Sequence, residues 1–359
     1  MQDLTGGVSQ IGLVIDDTGE HGIRLNSDED WTLLLADIHL DIAPIHLEPG
    51  HNFDAAGFAK MLSDKGAKSA GLGIDARHAD LAELAKDYAA FTIASVDARC
   101  VHEAGGTEAQ ELAYAASGFA CGLGRMVESG INPEQAVQQV EIVFSADADI
   151  HLSISKLRAA RQVIASIAAA YDADVMPEIR VVSSARMLTR QDPWTNMIRL
   201  TSAAFAAAAG GADTITILPP TQWLGRPDGL ARRFSRNLHI LLQEESRLGQ
   251  VSDPAAGSYL HEQLSHSLAE AAWSIFQEQE DNGQFESIGR SHFSAAVASS
   301  AQALMAKYKS GDATLFGVNR HASADLREMR YEPGAPPPSS DADFGPIRLE
   351  DAALDGGRS

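Results

Sequence analysis

A (β/α)8 barrel of the TIM type, an α/β fold, is what this sequence predicts, and three observations carry the prediction. Short β-rich runs alternate with long helical patterns, the connections are mostly short, and eight such runs can be counted. A chain of 359 residues, 45% of them hydrophobic, can bury one large core, so one barrel with extensions is expected rather than several small domains. The expected division is a barrel over 1–255, helices packed on it over 256–330, and an acidic, Pro-rich flexible tail over 331–359.

Taken in order, the strand runs are IGLVID (11–16), IAPIHLE (42–48), SAGLGID (69–75), FTIASVD (91–97), VEIVFS (140–145), EIRVVSS (178–184), TITILP (214–219) and a weaker GQVSD (249–253). Between them, TEAQELAYAASGFACGLGRMVESG opens with a capping box, Thr107 and Gln110, and ends at Gly130. DPWTNMIRLTSAAFAAAAGG has Asp192 at the N-cap, Pro193 at the first helical position and a Gly pair past its end. Another helix begins near Asp228, and SYLHEQLSHSLAEAAWSIFQEQED and SHFSAAVASSAQALMAKYK read as two more. The tail from Tyr331 is rich in Pro, Ser and Asp with few large apolar residues, too little to offset ordering entropy, although GPIRLEDAAL has the makings of a short docking helix. No run is followed by G-x-G-x-x-G or G-x-x-x-x-G-K-[ST], so nucleotide-binding open sheets lack their fingerprint.

Charge narrows the function. With 49 acidic against 28 basic residues the formal charge is −21, which repels phosphodiester backbones and anionic membranes, so neither nucleic acid nor membrane is an expected partner. Cys100 and Cys121 make no disulfide framework and no C-x-x-C, MQDLTGGVSQ shows no basic region followed by an apolar core, and no apolar run approaches about 20 residues; a cytoplasmic protein without structural zinc is expected.

In such a barrel chemistry sits at the carboxyl ends of the strands. That rule selects Asp16, Asp17, Glu48, Asp75, the Arg99 to His102 group, Phe144, Ser145, Arg180 to Arg186 and Pro219 to Gln222. Metal-dependent barrel hydrolases need paired imidazoles such as H-x-H, whereas His39, His46, His102 and His151 stand alone and read as polar surface residues. Glu244 and Glu245 fall late in the helix from Asp228 and read as solvated helix surface.

The run from GGADTITILPP to SYLHEQLSHSLAEAAWSIFQE resembles the second half of the acyl-CoA-binding barrel of methylmalonyl-CoA mutases, and HEAGGTEAQELAYA, ISKLRAARQV and LTRQDPWTNMIRLT match further signature segments in the same order. The resemblance covers residues 8 to 320 and implies a barrel that admits the CoA pantetheine along its axis. It also implies a radical carbon-skeleton rearrangement between methylmalonyl-CoA and succinyl-CoA, its hard chemistry supplied by cobalamin. Catalytic chains of the family carry D-x-H-x-x-G on a flavodoxin-like domain. The nearest match here, Cys100 to Gly105, replaces Asp by Cys, so the expected fold is a mutase-type barrel without the C-terminal cobalamin-binding domain.

The resemblance also locates the pocket. Catalytic barrels read G-Y-H-M-x-E-A-G at the fourth strand, and aligned on Glu103-Ala104-Gly105 this chain has Arg99 for the Tyr and Cys100 for the His; a thiol is a poor substitute for an imidazole donor. On the fifth strand the family's R-L-S-F becomes Gln139 and Glu141, which disfavours a polyanionic ligand, and on the sixth H-x-Q-T becomes Arg180 and Val182. These departures resemble the non-catalytic small (beta) subunit of heterodimeric mutases. The expected role is therefore support of a catalytic large subunit that carries adenosylcobalamin, with no cofactor on this chain itself and at most residual acyl-CoA binding in a degenerate pocket. The alternative is a catalytic acyl-CoA mutase barrel with an altered substrate, gripping a different acyl group with Arg99 or Arg180 and receiving adenosylcobalamin from a separate chain. Arg180 paired with Glu141 on the adjacent strand, and Cys100 as a buried thiol, are the structural readings of the same residues.

Overall fold

The computed structural model describes residues 2–16, 22–25, 27–50, 53–78, 80–281, 292–322, 326–334 and 344–356; Asp17 lies outside them. Its elements run α1 (Gln2–Thr5), β1 (Ile11–Val14), α2 (Asp28–Leu35), β2 (Ile45–Glu48), α3 (Ala55–Asp64), β3 (Ala70–Asp75), α4 (Leu81–Asp87), β4 (Thr92–Asp97), α5 (Arg99–Glu103), α6 (Glu108–Glu128) and α7 (Pro133–Gln138). There follow β5 (Val140–Ala146), α8 (Ile150–Ala170), β6 (Glu178–Ser183), α9 (Pro193–Ala209), β7 (Thr214–Thr216), β8 (Arg226–Pro227), α10 (Gly229–Ile240), a π turn at Leu241–Glu245, α11 (Tyr259–Asp281), α12 (His292–Ser310), β9 (Tyr331–Glu332) and α13 (Leu349–Gly356). Strand order in the seven-stranded sheet follows chain order from β1 to β7, and the registers of β1–β2, β2–β3, β3–β4 and β6–β7 are parallel. Sequential parallel strands alternating with helices are the topology of a (β/α)8 barrel. Among the described helices none is long and apolar enough to cross a membrane.

The eighth expected strand is the correction. Gly249 to Asp253 form turns and bends: Gly249 takes φ +94°, Val251 is exposed, and the Asp253 carboxylate accepts from Ala255 N–H two residues on and from Arg158. The seventh run stops at Thr216: Leu218 N–H donates to the Ser183 hydroxyl at 2.9 Å, and the Pro219 and Pro220 that follow bring no N–H.

The chain divides into two compact units. The first comprises residues 1–96, 118–142 and 165–178. Its strands bury Leu47, Leu72 and Ile93 completely, each such side chain contributing about 1.5–3 kcal/mol by leaving water. Trp31 and Phe58 pack at 4.2 Å between ring centroids to fix α2 against α3.

The second unit comprises residues 97–117, 143–164 and 179–359. Its helix signals hold as read. Thr107 N–H donates to Gln110 Oε1 (2.9 Å) while Gln110 N–H donates to Thr107 Oγ1 (3.3 Å), Asp192 caps Thr195 N–H with Pro193 at the first helical position, and Asp228 caps α10. The composition of 331–359 reads as a mobile tail, but Tyr331–Glu332 pair antiparallel with Arg226–Pro227, and α13 folds back with Leu349 and Ala353 buried against Leu315 and Val318. Apolar residues four apart on one short helix face, Leu349 and Ala353, supply the burial that overall composition hides.

Candidate functional site

Each site is built within one unit. In the second, β4 ends at Asp97 and the chain turns at once into α5, which carries the RCVHE motif. Arg99 folds back on Asp97: its backbone N–H, Nε and Nη2 donate to that carboxylate at 3.1, 2.8 and 2.7 Å. The Cys100 thiol, 0% exposed, donates to the Asp97 carbonyl at 3.2 Å. Both residues are thus engaged at their own strand end.

One turn further, α5 delivers His102 and Glu103 into a buried polar cluster. Glu103 accepts from Ser145 Oγ (3.2 Å), Ala185 N–H (3.2 Å) and Arg186 N–H (2.8 Å), tying the ends of β5 and β6 to α5. Burial pushes its carboxyl above the ordinary range, against the pull of Arg186. Glu111 of α6 accepts from Lys156 Nζ of α8 at 2.5 Å and from Ser145 N–H at 2.7 Å, and Lys156 also donates to the Ser145 carbonyl at 2.7 Å. Arg186 donates to the His102 carbonyl at 2.6 Å and pairs with Asp147 at 3.3 Å.

The His102 ring, 1% exposed, lies 3.5 Å from Glu111 and 3.7 Å from Asp147. Burial, reinforced by the charges of Arg186 and Lys156, holds its pKa well below the ordinary 6.5, so the imidazole stays neutral. It is a core residue, not the surface histidine expected.

The cluster is covered by the chain itself. Ile347 N–H donates to the Glu103 carbonyl at 2.8 Å and Leu349 N–H to the Arg186 carbonyl at 3.2 Å. Glu350, 1% exposed, accepts from the N–H groups of Arg190 and Gln191 at 2.9 and 2.8 Å and pairs with Arg348, whose guanidinium lies 5.0 Å over Trp223. Gly105, at φ +91°, lies under this strap; a Cβ there would stand 2.8 Å from Ile347 Cδ1 and from Ala301. The same unit holds Arg180 and Val182 on β6, each 4% exposed. Phe144, Ser145, Thr221 and Gln222 are buried as well.

In the first unit, Gln139 and Glu141 stand at the amino end of β5. Gln139, 1% exposed, donates through Nε2 to the Ala85 and Tyr88 carbonyls at 3.0 Å each, closing the end of α4. Glu141, equally buried, meets His46 Nδ1 at 3.1 Å and accepts from Ser95 Oγ at 2.9 Å. His46 is therefore a second buried histidine that reads from sequence as surface. Asp75 is committed to Arg77, which outweighs burial and holds its carboxyl below the usual range. Asp16 and Glu48 lie at the ends of β1 and β2, and His39, Glu244 and Glu245 are exposed.

Position at strand ends finds Arg99, Cys100, Ser145 and Arg186 but misses Glu111, Asp147 and Lys156. The available signal was a charge on an apolar helix face, Glu111 before LAYAAS and Lys156 after LSIS.

A family model described as methylmalonyl-CoA mutase matches residues 77–339. The methylmalonyl-CoA mutase small subunit of Streptomyces virginiae is 36% identical over 304 residues, covering 78% of this chain and 48% of that protein. The small subunit of Propionibacterium freudenreichii subsp. shermanii is 40% identical over 207 residues, 56% of this chain and 32% of that protein. The probable small subunit of Mycobacterium bovis is 33% identical over 315 residues, 79% of this chain and 49% of that protein. The chain thus spans at most about half the length of these curated relatives. A match over most of the chain, on top of this topology, places it in the methylmalonyl-CoA mutase family.

Proposed function

We propose that this chain acts as a small-subunit-type partner in the interconversion of methylmalonyl-CoA and succinyl-CoA, supporting a catalytic large subunit rather than performing the rearrangement itself. The observation that carries the reading is the state of Arg99 and Cys100. Where the family resemblance places a catalytic Tyr and His, both side chains are buried and turned back onto Asp97. The covering strap at Ile347 to Glu350 supports the same conclusion.

The family is cobalamin-dependent, and His102 does not fit a cobalt-ligating role. In the nearest approach to the family's cobalt-binding motif, it is enclosed between Glu111 and Asp147 with its ring 1% exposed. We therefore assign adenosylcobalamin to the partner chain. The polar cluster serves as scaffold: Glu103 and Lys156 clamp the ends of β5 and β6, so that a barrel-type fold persists without its chemistry.

Mixing this chain with a cobalamin-carrying mutase chain from the same organism tests the assignment. Co-elution, with succinyl-CoA formation that rises or persists longer in the complex, is the expected result. Failure to co-elute with any such chain would overturn it.

A further inference from the structure

His151 and His261 take no part in the cluster above, yet they meet on the surface of the second unit. His151 Nδ1, on α8, stands 3.2 Å from His261 Nε2, on α11, with the ring centroids 5.2 Å apart. Two nitrogens bound to one tetrahedral zinc at about 2.0–2.1 Å are separated by about 3.3 Å, so the pair already has the spacing of a chelate.

Two further features pre-set it. His261 Nδ1 lies 3.2 Å from Ser258 Oγ, and with Nδ1–H donated to that hydroxyl the Nε2 lone pair faces His151, the outer contact that orients a ligating imidazole. The two helices are locked beside the pair by Arg158 of α8, which donates to Asp253 Oδ2 (3.1 Å), Glu262 Oε1 (2.8 Å) and Ser265 Oγ (3.2 Å). The carboxylates of Asp253 and Glu262, both bound by Arg158, lie beside the pair. His151 is exposed and His261 half-buried, which leaves an entry path and room for water on the open side.

We propose that His151 and His261 form a two-imidazole site for a late first-row divalent metal ion, with water completing the shell and the ion pinning α8 to α11. Among the described residues no group of three or more His, Cys, Asp or Glu side chains is placed to hold a metal ion, so the two imidazoles are the protein's share of the ligands. Affinity should follow copper above nickel and zinc.

The test titrates the intact, metal-stripped chain with Cu2+, Ni2+ and Zn2+, reading stoichiometry by isothermal calorimetry and the copper site by its visible band. One equivalent is expected to bind before weaker sites fill, with H151Q and H261Q each lowering affinity tenfold or more, S258A lowering it less, and all three melting as the parent does without metal. H266Q, which alters an exposed histidine paired with Glu270, is the control and leaves binding unchanged. Equal losses in H266Q, or binding untouched in H151Q and H261Q, would mean adventitious surface imidazoles and a simple hydrogen bond between the two rings, and would overturn the proposal.

Discussion

Replacing Lys156 by methionine isolates the buried cluster's contribution to the fold. In the parent, Lys156 is 1% exposed and Glu111 0%, and their 2.5 Å contact is supplemented by the Ser145 carbonyl and N–H. K156M leaves the Glu111 carboxylate buried without its cation and the Ser145 carbonyl without its charged donor. Breaking such a pair from one side costs roughly 3–5 kcal/mol, of which the stranded charge is the larger part. E111L strands the ammonium instead and should cost about as much. In the double variant no charge remains, only the unpaired Ser145 backbone, so its loss should fall short of the sum by roughly 2–3 kcal/mol. Urea unfolding of the four proteins, followed by far-UV circular dichroism, gives the cycle from shifts in midpoint at constant slope. A K156M loss below about 1 kcal/mol with additive singles would refute the cluster as the clamp on β5.

Other outcomes follow from the same geometry. His102 is held well below 6.5 in the fold, so both states are neutral above that pH; below it the unfolded chain takes up a proton that the fold resists. Stability should fall as pH drops from about 6.5 toward the depressed folded-state value, and H102Q should flatten that slope in urea midpoints measured from pH 7.5 to 5. E350A strands the N–H groups of Arg190 and Gln191, costing roughly 1–3 kcal/mol, and amide exchange should quicken at Ile347 and Leu349 while β5 stays protected. T107A removes one arm of the capping box on α6, an expected loss of about 1 kcal/mol in thermal or urea melts.

Much of the fold was legible because period and caps are local. Thr107 with Gln110, and Asp192 with Pro193, mark their helices by chemistry that needs no tertiary partner. Strand ends were less so: Gln-Val-Ser-Asp at 250–253 carries a strand-like valine, but Gly249 and the capture of Asp253 by Arg158 decide for a turn, and that capture is invisible in sequence. The site was legible as positions, through Arg99 and Cys100. It was not legible as a network, because Glu111, Asp147 and Lys156 come from three separate segments that only the fold brings together. The strap was hidden because a Pro-rich composition around 331–343 masked the apolar face of α13.

The proposed division of labour puts the chemistry in the partner's barrel and not in this one. Its most direct measurement is succinyl-CoA formation from methylmalonyl-CoA by the reconstituted pair with adenosylcobalamin, after the catalytic chain's own substrate pocket has been disabled by mutation. No turnover is expected while the pair still co-elutes. Turnover sustained by this chain's pocket, and abolished by further mutation at Arg99 or Arg180, would contradict it.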